Sequence, residues 1–211
     1  MSSEILGRAR VCSACHSSKV SRHIRAPLQR RDEPDRRFSS IHVDLVGPLP
    51  ASEGMRYIFT IIDRYSRWLE AVPLPTMTAA DCANALLHSW ISRFGVPSDV
   101  TTDQGCQFGS DLWQELHKLL GIRSLRTTAY HPQANGMVER IHRVLKERIM
   151  ARYPLADWMV HLPLVLLGVR SAVREDSGTS PTELLYGTPL RLPGQLLPDV
   201  PSEFPSPSTT S

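Results

Sequence analysis

The pattern of apolar and polar positions along the chain predicts strands first and helices afterwards. Three early runs rich in apolar and β-branched residues are typical of strands, at 38–46, 57–63 and 67–74. Further along, two short strand patterns alternate with helical periodicity, giving strands at 99–102 and 123–127 and helices at 78–94, 110–120, 137–152 and 155–170. Pro132, Asn135 and Gly136 predict a loop over 129–136. Together these elements predict an α/β domain in which helices flank a mixed sheet.

Composition separates a folded body from two flanking segments. Residues 1–37 lack sustained apolar periodicity, and residues 191–211 place five prolines among serines and threonines, which is typical of disorder. We therefore expect one folded domain at 38–190. Its longest apolar stretch, at 162–169, is interrupted by Pro163 and Gly168 and is far shorter than the ~20 residues of a membrane span. No membrane partner is expected.

Positive charge is concentrated near the N-terminal end. The 211 residues carry a formal net charge of +3, yet residues 1–40 alone hold nine basic against four acidic side chains. Of the 24 basic residues 21 are arginine, whose planar guanidinium group suits phosphate recognition. This composition favours a polyanionic partner only weakly, because an arginine bias can also reflect genome composition.

Two aspartates occupy positions that are typical of a functional site. Asp44 lies inside the first predicted strand, where aspartate is depleted, on the face opposite Val43 and Leu45. Asp103 ends the fourth predicted strand and is followed by Gln104 and Gly105, at the edge where α/β sheets usually open their sites. An exposed strand position for Asp44 and a turn or helix cap for Asp103 are the structural alternatives.

A third acid, Glu139, lies near the start of a predicted helix. Helical spacing gathers Val138, Ile141, Leu145 and Ile149 on one stripe, and it gathers Glu139, His142, Arg143 and Lys146 on another that we expect to lie off the core. Taken alone, Glu139 is equally well explained by the helix dipole and an ion pair with Arg143 four residues further on.

Three separated motifs carry a resemblance to a known family. The segments IHVDLVGPLP (41–50), TTDQGCQF (101–108) and TAYHPQANGMVER (128–140) resemble the integrase core of retroviruses and long-terminal-repeat retrotransposons of the Gypsy/Ty3 type. Asp103 and Glu139 are separated by 35 residues, the interval of that family's Asp, Asp-35-Glu signature. The resemblance runs over about 38–190. It implies an α/β fold that is ribonuclease-H-like, with a five-stranded mixed sheet flanked by helices.

The resemblance also implies a DDE-type polynucleotidyl transferase. It assigns Asp44, Asp103 and Glu139 as catalytic residues and as the ligands of two Mg²⁺ or Mn²⁺ ions, with Asp44 bridging them. Such a pair of ions can stabilise both the attacking and the leaving oxygen of a phosphodiester, and carboxylates are ligands that Mg²⁺ accepts. The implied reactions are 3′-end processing and transfer of element DNA into target DNA.

The implied partners are element DNA ends, target DNA and further copies of the chain. By resemblance, the loop and helix around Glu139 meet DNA, which assigns six DNA-binding candidates: His131, Gln133, Asn135, Arg140, Arg143 and Lys146. For the two basic residues at 143 and 146 a solvated helix face is the alternative. We expect action in the nucleus on chromosomal DNA, or in a cytoplasmic particle, and no secretion.

The first cysteines of the chain are spaced like half of a zinc site. Cys12 and Cys15 form a CxxC pair, and a structural zinc ion needs four ligands. In the integrase family a histidine pair precedes such a CxxC. We therefore interpret 1–37 as a truncated remnant of a zinc domain with a basic linker, and we expect no bound Zn²⁺.

Two further functions compete with integration. A degenerate or co-opted integrase fragment would act as a nucleic-acid-binding or self-association module. A host ribonuclease H would share the fold and act on RNA–DNA hybrids, but it fits the 35-residue interval and the segment around Glu139 poorly. Fold alone does not decide between these functions.

Overall fold

The centre of the fold is a five-stranded mixed sheet, seen in a computed structural model that describes residues 34–127, 132–150, 157–174 and 177–193, with side chains of 132–139 and 150 left undescribed. The strands are β1 Ser40–Val46, β2 Tyr57–Asp63, β3 Leu69–Leu74, β4 Asp99–Thr102 and β5 Arg123–Arg126. Their order in the sheet is β3-β2-β1-β4-β5. The first three strands pair antiparallel, whereas β4 pairs parallel to both β1 and β5. This arrangement confirms the predicted five-stranded mixed sheet.

Helices follow and cover the sheet. Helix α1 runs through Ala79–Leu86, a π-helical turn Leu87–Ile91 and Ser92–Phe94. The other helices are α2 Asp111–Leu120, α3 Pro132–Met150, α4 Trp158–Ser171 and α5 Pro181–Tyr186. Among the described residues no helix is both long and apolar enough to cross a membrane.

Most predicted boundaries agree with the structure, and the differences have local causes. The strand β1 begins at Ser40, two residues later than predicted, because Phe38 adopts a φ of 65° that a strand does not allow. The prediction of a loop over 129–136 is wrong from Pro132 onwards, where α3 already begins. Proline suits the first helical turn because its missing N–H has no partner there in any helix.

Two apolar layers form on opposite faces of the sheet. On one face Ile41 and Val43 of β1 pack with the buried tryptophans Trp90 of α1 and Trp113 of α2. On the other face Ile58 and Ile62 of β2 pack with a set of buried residues from α3 and α4, namely Leu145, Ile149, Trp158, Leu162, Val165 and Leu166. The alternation of side chains along β1 therefore turns Asp44 towards the α3 and α4 face.

A buried ion network joins β3, α1 and α4. Glu70 Oε1 accepts bonds from Trp68 Nε1 at 2.8 Å and Arg93 Nη1 at 2.9 Å, and Oε2 accepts from Arg170 Nη2 at 2.7 Å. Arg170 also donates to the Leu69 carbonyl and stacks 4.4 Å from the centre of the Trp68 ring. Burial lowers the pKa of Arg170, and the Glu70 carboxylate opposes that shift. Glu70 is the anion that makes a buried Arg170 tolerable.

Replacing Glu70 should therefore be far more harmful than replacing its more exposed partner. We expect Glu70→Gln to lower the free energy of unfolding by about 3 kcal/mol, because it leaves the mostly buried Arg170 without a counter-charge. Arg93 has a side chain 48% exposed, so Arg93→Gln should cost below about 1 kcal/mol. Urea unfolding of both variants measures the difference, and equal losses would contradict this assignment.

His117 of α2 is a neutral histidine in the core. It is 2% exposed, its ring lies 4.7 Å from that of Trp113, and its Nδ1 contacts Ser124 Oγ. Its Nε2 is buried without a hydrogen-bond partner. Burial lowers the pKa of His117 to about 4 from an ordinary 6.5. The unfolded chain thus takes up a proton at mildly acidic pH that the folded chain does not accept.

The stabilising contribution of neutral His117 is complete above pH 6.5 and is lost as the pH falls towards 4. We expect this residue to account for up to about 3 kcal/mol of the acid destabilisation of the wild type. Urea unfolding at pH 7 and pH 4 should show a smaller loss in His117→Gln. The exposed His88 provides the matched control His88→Gln, which should behave as the wild type. A loss in His117→Gln as large as that of the wild type would contradict the prediction.

Candidate active site

The parallel pairing of β1 and β4 brings Asp44 and Asp103 to one edge of the sheet. The last pair in the register joins His42 to Thr101, and the two aspartates each lie two residues beyond that pair. Because the carboxyl ends of parallel strands meet at one edge of a sheet, both aspartates lie at that edge. The structure therefore brings together two of the three predicted acids.

The pKa of Asp103 is shifted by burial, by a hydrogen bond and by the charge of Asp44. Its Oδ1 accepts a hydrogen bond from the Gly105 N–H at 2.9 Å. Although the residue as a whole is exposed, desolvation of the carboxyl group raises the pKa of Asp103. The Gly105 bond lowers this pKa, and the negative charge of Asp44 raises it further. The two carboxyl groups are therefore close enough for the charge of Asp44 to act on Asp103.

Asp44 has a polar neighbour at each of its carboxylate oxygens. Its Oδ1 accepts from the Leu45 N–H at 2.7 Å, and its Oδ2 lies 3.2 Å from His142 Nδ1 of α3. Thr60 faces Asp44 across the β1–β2 pair, and its hydroxyl lies 2.7 Å from His142 Nε2. The same hydroxyl lies 3.1 Å from the Asp44 carbonyl oxygen. Asp44, Thr60 and His142 thus form one connected polar cluster.

The place of His142 corrects the sequence-based expectation. The helical stripe predicted His142 to lie off the core, whereas it is only 8% exposed. The apolar stripe was otherwise predicted well, since Leu145 and Ile149 are buried and Ile141 packs against them. The reason is local: Asp44 and Thr60 are polar positions on an otherwise apolar sheet face, and a polar side chain of α3 has to cover them. Periodicity alone does not reveal such a partner.

Glu139 lies in α3, three residues before His142. In a helix this spacing puts position 139 on the helix face that carries His142. The side chain of Glu139 lies outside the described set. Among the side chains that are described, no three histidine, cysteine or acidic residues form a metal-binding group.

The remaining candidate residues fall into two groups. Arg140, Arg143 and Lys146 are exposed along α3. His131 and both zinc-remnant cysteines, Cys12 and Cys15, lie outside the described residues, as do the side chains of Gln133 and Asn135.

Asp63 is acidic and close to a strand end, but it is a structural residue. Its Oδ1 accepts from the Phe38 N–H at 3.0 Å, and its Oδ2 accepts from the Ser66 N–H and hydroxyl at 2.8 and 2.6 Å. These bonds fix the turn between β2 and β3.

The sequence of this chain matches a known protein family. Residues 34–132 match the integrase core domain family. The chain carries an integrase core domain. Over 194 residues it is 34% identical to the Gag-Pol polyprotein of Woolly monkey sarcoma virus, covering 89% of this chain and 11% of the polyprotein. Over 196 residues it is 32% identical to the retrovirus-related Pol polyprotein from transposon 412 of Drosophila melanogaster, covering 92% and 16%. This chain therefore spans a small part of each relative.

Solved structures share the fold of this integrase core. The catalytic core domain of BIV integrase superposes with a TM-score of 0.56 at 25% identity, covering 71% of this chain and 95% of that one. The catalytic core domain of HTLV-2 integrase, solved in complex with magnesium, gives a TM-score of 0.55 at 18% identity, covering 69% and 95%. These likenesses confirm the predicted ribonuclease-H-like architecture.

The coupling of the two aspartates in the integrase core can be measured directly. Because Asp44 raises the pKa of Asp103, we expect Asp44→Asn to lower it, as followed by carbon NMR titration of the metal-free protein. Asp99 lies at the start of the same strand and pairs with Arg123, so Asp99→Asn is the matched control and should leave the pKa of Asp103 unchanged. An Asp103 titration unaffected by Asp44→Asn would show that the two carboxyl groups are not neighbours.

Proposed function

We propose that this integrase core is a metal-dependent polynucleotidyl transferase that trims the 3′ ends of element DNA and joins them to target DNA. The observation that carries the proposal is the parallel pairing of β1 with β4, which places Asp44 and Asp103 at one edge of the sheet. Two carboxylates from distant parts of the chain are brought together where they repel each other. Such an arrangement is unfavourable by itself and becomes favourable when a divalent cation neutralises it.

The donor set fits Mg²⁺ or Mn²⁺. Asp44 and Asp103 supply hard carboxylate oxygens, which these ions prefer. In the proposed site Glu139 is the third ligand, in agreement with its position one turn before His142 on α3. A pair of bound ions would stabilise the charge that develops on the attacking and leaving oxygens of the phosphodiester. The magnesium complex of the HTLV-2 integrase core supports this choice of metal by analogy of fold.

The exposed basic face of α3 supports DNA as the substrate. Arg140, Arg143 and Lys146 lie on the helix that carries position 139, so phosphates bound to them would lie beside the proposed metal site. His131, Gln133 and Asn135, which precede position 139, complete the proposed DNA-binding set. Further copies of the chain are the proposed protein partners, and chromosomal DNA in the nucleus is the proposed target.

The proposal is tested by strand transfer of a labelled DNA duplex. The whole 211-residue chain is incubated with the duplex and Mg²⁺ or Mn²⁺, alongside Asp103→Asn. We expect Asp103→Asn to lose product formation by about 100-fold or more, because the metal supplies several kcal/mol of transition-state stabilisation. Asp99→Asn, at the opposite end of β4, should retain it.

Equal product from the wild type and Asp103→Asn would assign the activity to another site or to a contaminant. DNA binding that is retained by every variant, without metal-dependent cleavage or joining by the wild type, would favour the nucleic-acid-binding module instead. Cleavage of the RNA strand of a hybrid in preference to DNA would favour a ribonuclease H.

A further inference from the structure

Arg126 lies at the end of β5 that adjoins the proposed active site. In the register of the parallel pair β4–β5 it is opposite Thr102, the residue directly before Asp103. Arg126 is exposed, and it is not among the DNA-binding candidates predicted from the sequence. We infer that Arg126 binds a backbone phosphate of DNA at the edge of this site. The inference rests on the proposed function, in which DNA reacts beside Asp103.

The main chain fixes Arg126 close to Asp103. The residue after it, Thr127, donates to the Thr102 carbonyl oxygen from its N–H at 2.9 Å and from its hydroxyl at 3.2 Å. In return Gln104 Nε2 donates to the Thr127 carbonyl oxygen at 3.4 Å. These bonds join the segment that carries Arg126 to the segment that carries Asp103. The two residues therefore stay neighbours where β4 and β5 end.

The guanidinium group of Arg126 lies beside the turn that follows Asp103. Ser124, two residues earlier on β5, contacts His117 of α2, so Arg126 shares the face of β5 that α2 covers. Its Nη2 donates to the Phe108 carbonyl oxygen at 3.4 Å, which is long for a hydrogen bond. A guanidinium group has five N–H donors, and no other hydrogen-bond partner of this one is found among the described residues. Most of its donors can therefore take a ligand.

The charge of Arg126 has no counter-charge in the part of the chain that the structure describes. Arg123, at the other end of β5, donates to both carboxylate oxygens of Asp99 at 2.6 and 2.9 Å. No described carboxylate lies within ion-pair distance of Arg126. A guanidinium group in this state attracts a phosphate and can hold two of its oxygens at once. The two arginines of β5 thus differ in what they can bind.

A phosphate on Arg126 lies on the opposite side of the sheet from the basic residues of α3. Helix α2 packs on one face of the sheet and α3 packs on the other. DNA held from both sides crosses the edge that carries Asp44 and Asp103. Contacts to phosphates position DNA without reading its sequence, so Arg126 contributes to affinity and not to sequence preference. Element DNA and target DNA offer the same phosphate.

The test compares Arg126→Gln with Arg123→Gln, which removes the same charge from the other end of β5. Binding of the whole chain to a fluorescein-labelled DNA duplex is measured by anisotropy, without divalent metal, over about 50–200 mM salt. We expect Arg126→Gln to weaken binding by about 5–10-fold near 0.1 M salt and to reduce the slope of log K against log salt by about 1. Arg126→Lys keeps the charge and should keep the slope.

Arg123→Gln should stay within about twofold of the wild type, because Arg123 is already paired with Asp99. Equal losses in the two glutamine variants would show an effect of net charge alone and would overturn the inference. A slope in Arg126→Gln that equals that of the wild type would overturn it as well, and so would a wild type that does not bind the duplex.

Strand transfer separates the two sources of the phosphate. The half-saturating concentration of labelled donor duplex is measured with saturating target plasmid, and then the reverse, in Mn²⁺. A rise of about fivefold in Arg126→Gln for one of the two DNAs supports the inference and assigns the phosphate to that DNA. No rise for either overturns it. If the wild type forms no metal-dependent product while the salt slope changes as expected, the phosphate contact stands and the proposed function is wrong.

A measurement on the wild type covers the case in which an Arg126 variant does not fold. Phenylglyoxal modifies accessible arginines, and mass spectrometry identifies each modified residue. We expect duplex DNA to slow the modification of Arg126 and to leave that of Arg123 unchanged. Modification of Arg126 at the same rate with and without DNA would overturn the inference whatever the variants do.

Discussion

The site depends on the two different pairings of β1. This strand runs antiparallel to β2 and parallel to β4, so it is the point where the sheet changes from a meander to a parallel arrangement. Parallel pairing aligns the carboxyl ends of β1 and β4, which places Asp44 beside Asp103 although 58 residues separate them in the chain. Antiparallel pairing puts Thr60 opposite Asp44. A central strand with any other pair of neighbours would separate these groups.

The pairing of β1 with its neighbours also explains how α3 packs on the sheet. Asp44 and Thr60 form a polar spot on a sheet face that is otherwise covered by apolar contacts with α3 and α4. Leaving that spot unpaired under a helix would be unfavourable, and His142 satisfies it. The contact that packs α3 onto the sheet therefore also involves a proposed metal ligand.

The sequence predicts local features well and long-range partners poorly. The limits of β2 and β4 were predicted from apolar runs, because strand signals depend on neighbouring residues. The convergence of Asp44 with Asp103 was predicted through family motifs and not through periodicity. The buried position of His142 was not predicted, because it depends on Asp44 and Thr60, which lie on the sheet and far from it in the sequence. Its spacing of three residues from Glu139 was the available signal.

The Glu70 network has a consequence for how this chain can change over generations. One carboxylate serves two guanidinium groups, and the residues concerned lie 23 and 100 positions from it along the chain. While Arg170 stays mostly buried, a substitution that removes the charge of Glu70 leaves the Arg170 guanidinium without its counter-charge. Each of these two positions therefore limits which residues the other can accept, although the two lie far apart in the sequence. We expect Glu70 and Arg170 to change together, whereas Arg93, whose side chain is half exposed, can change alone.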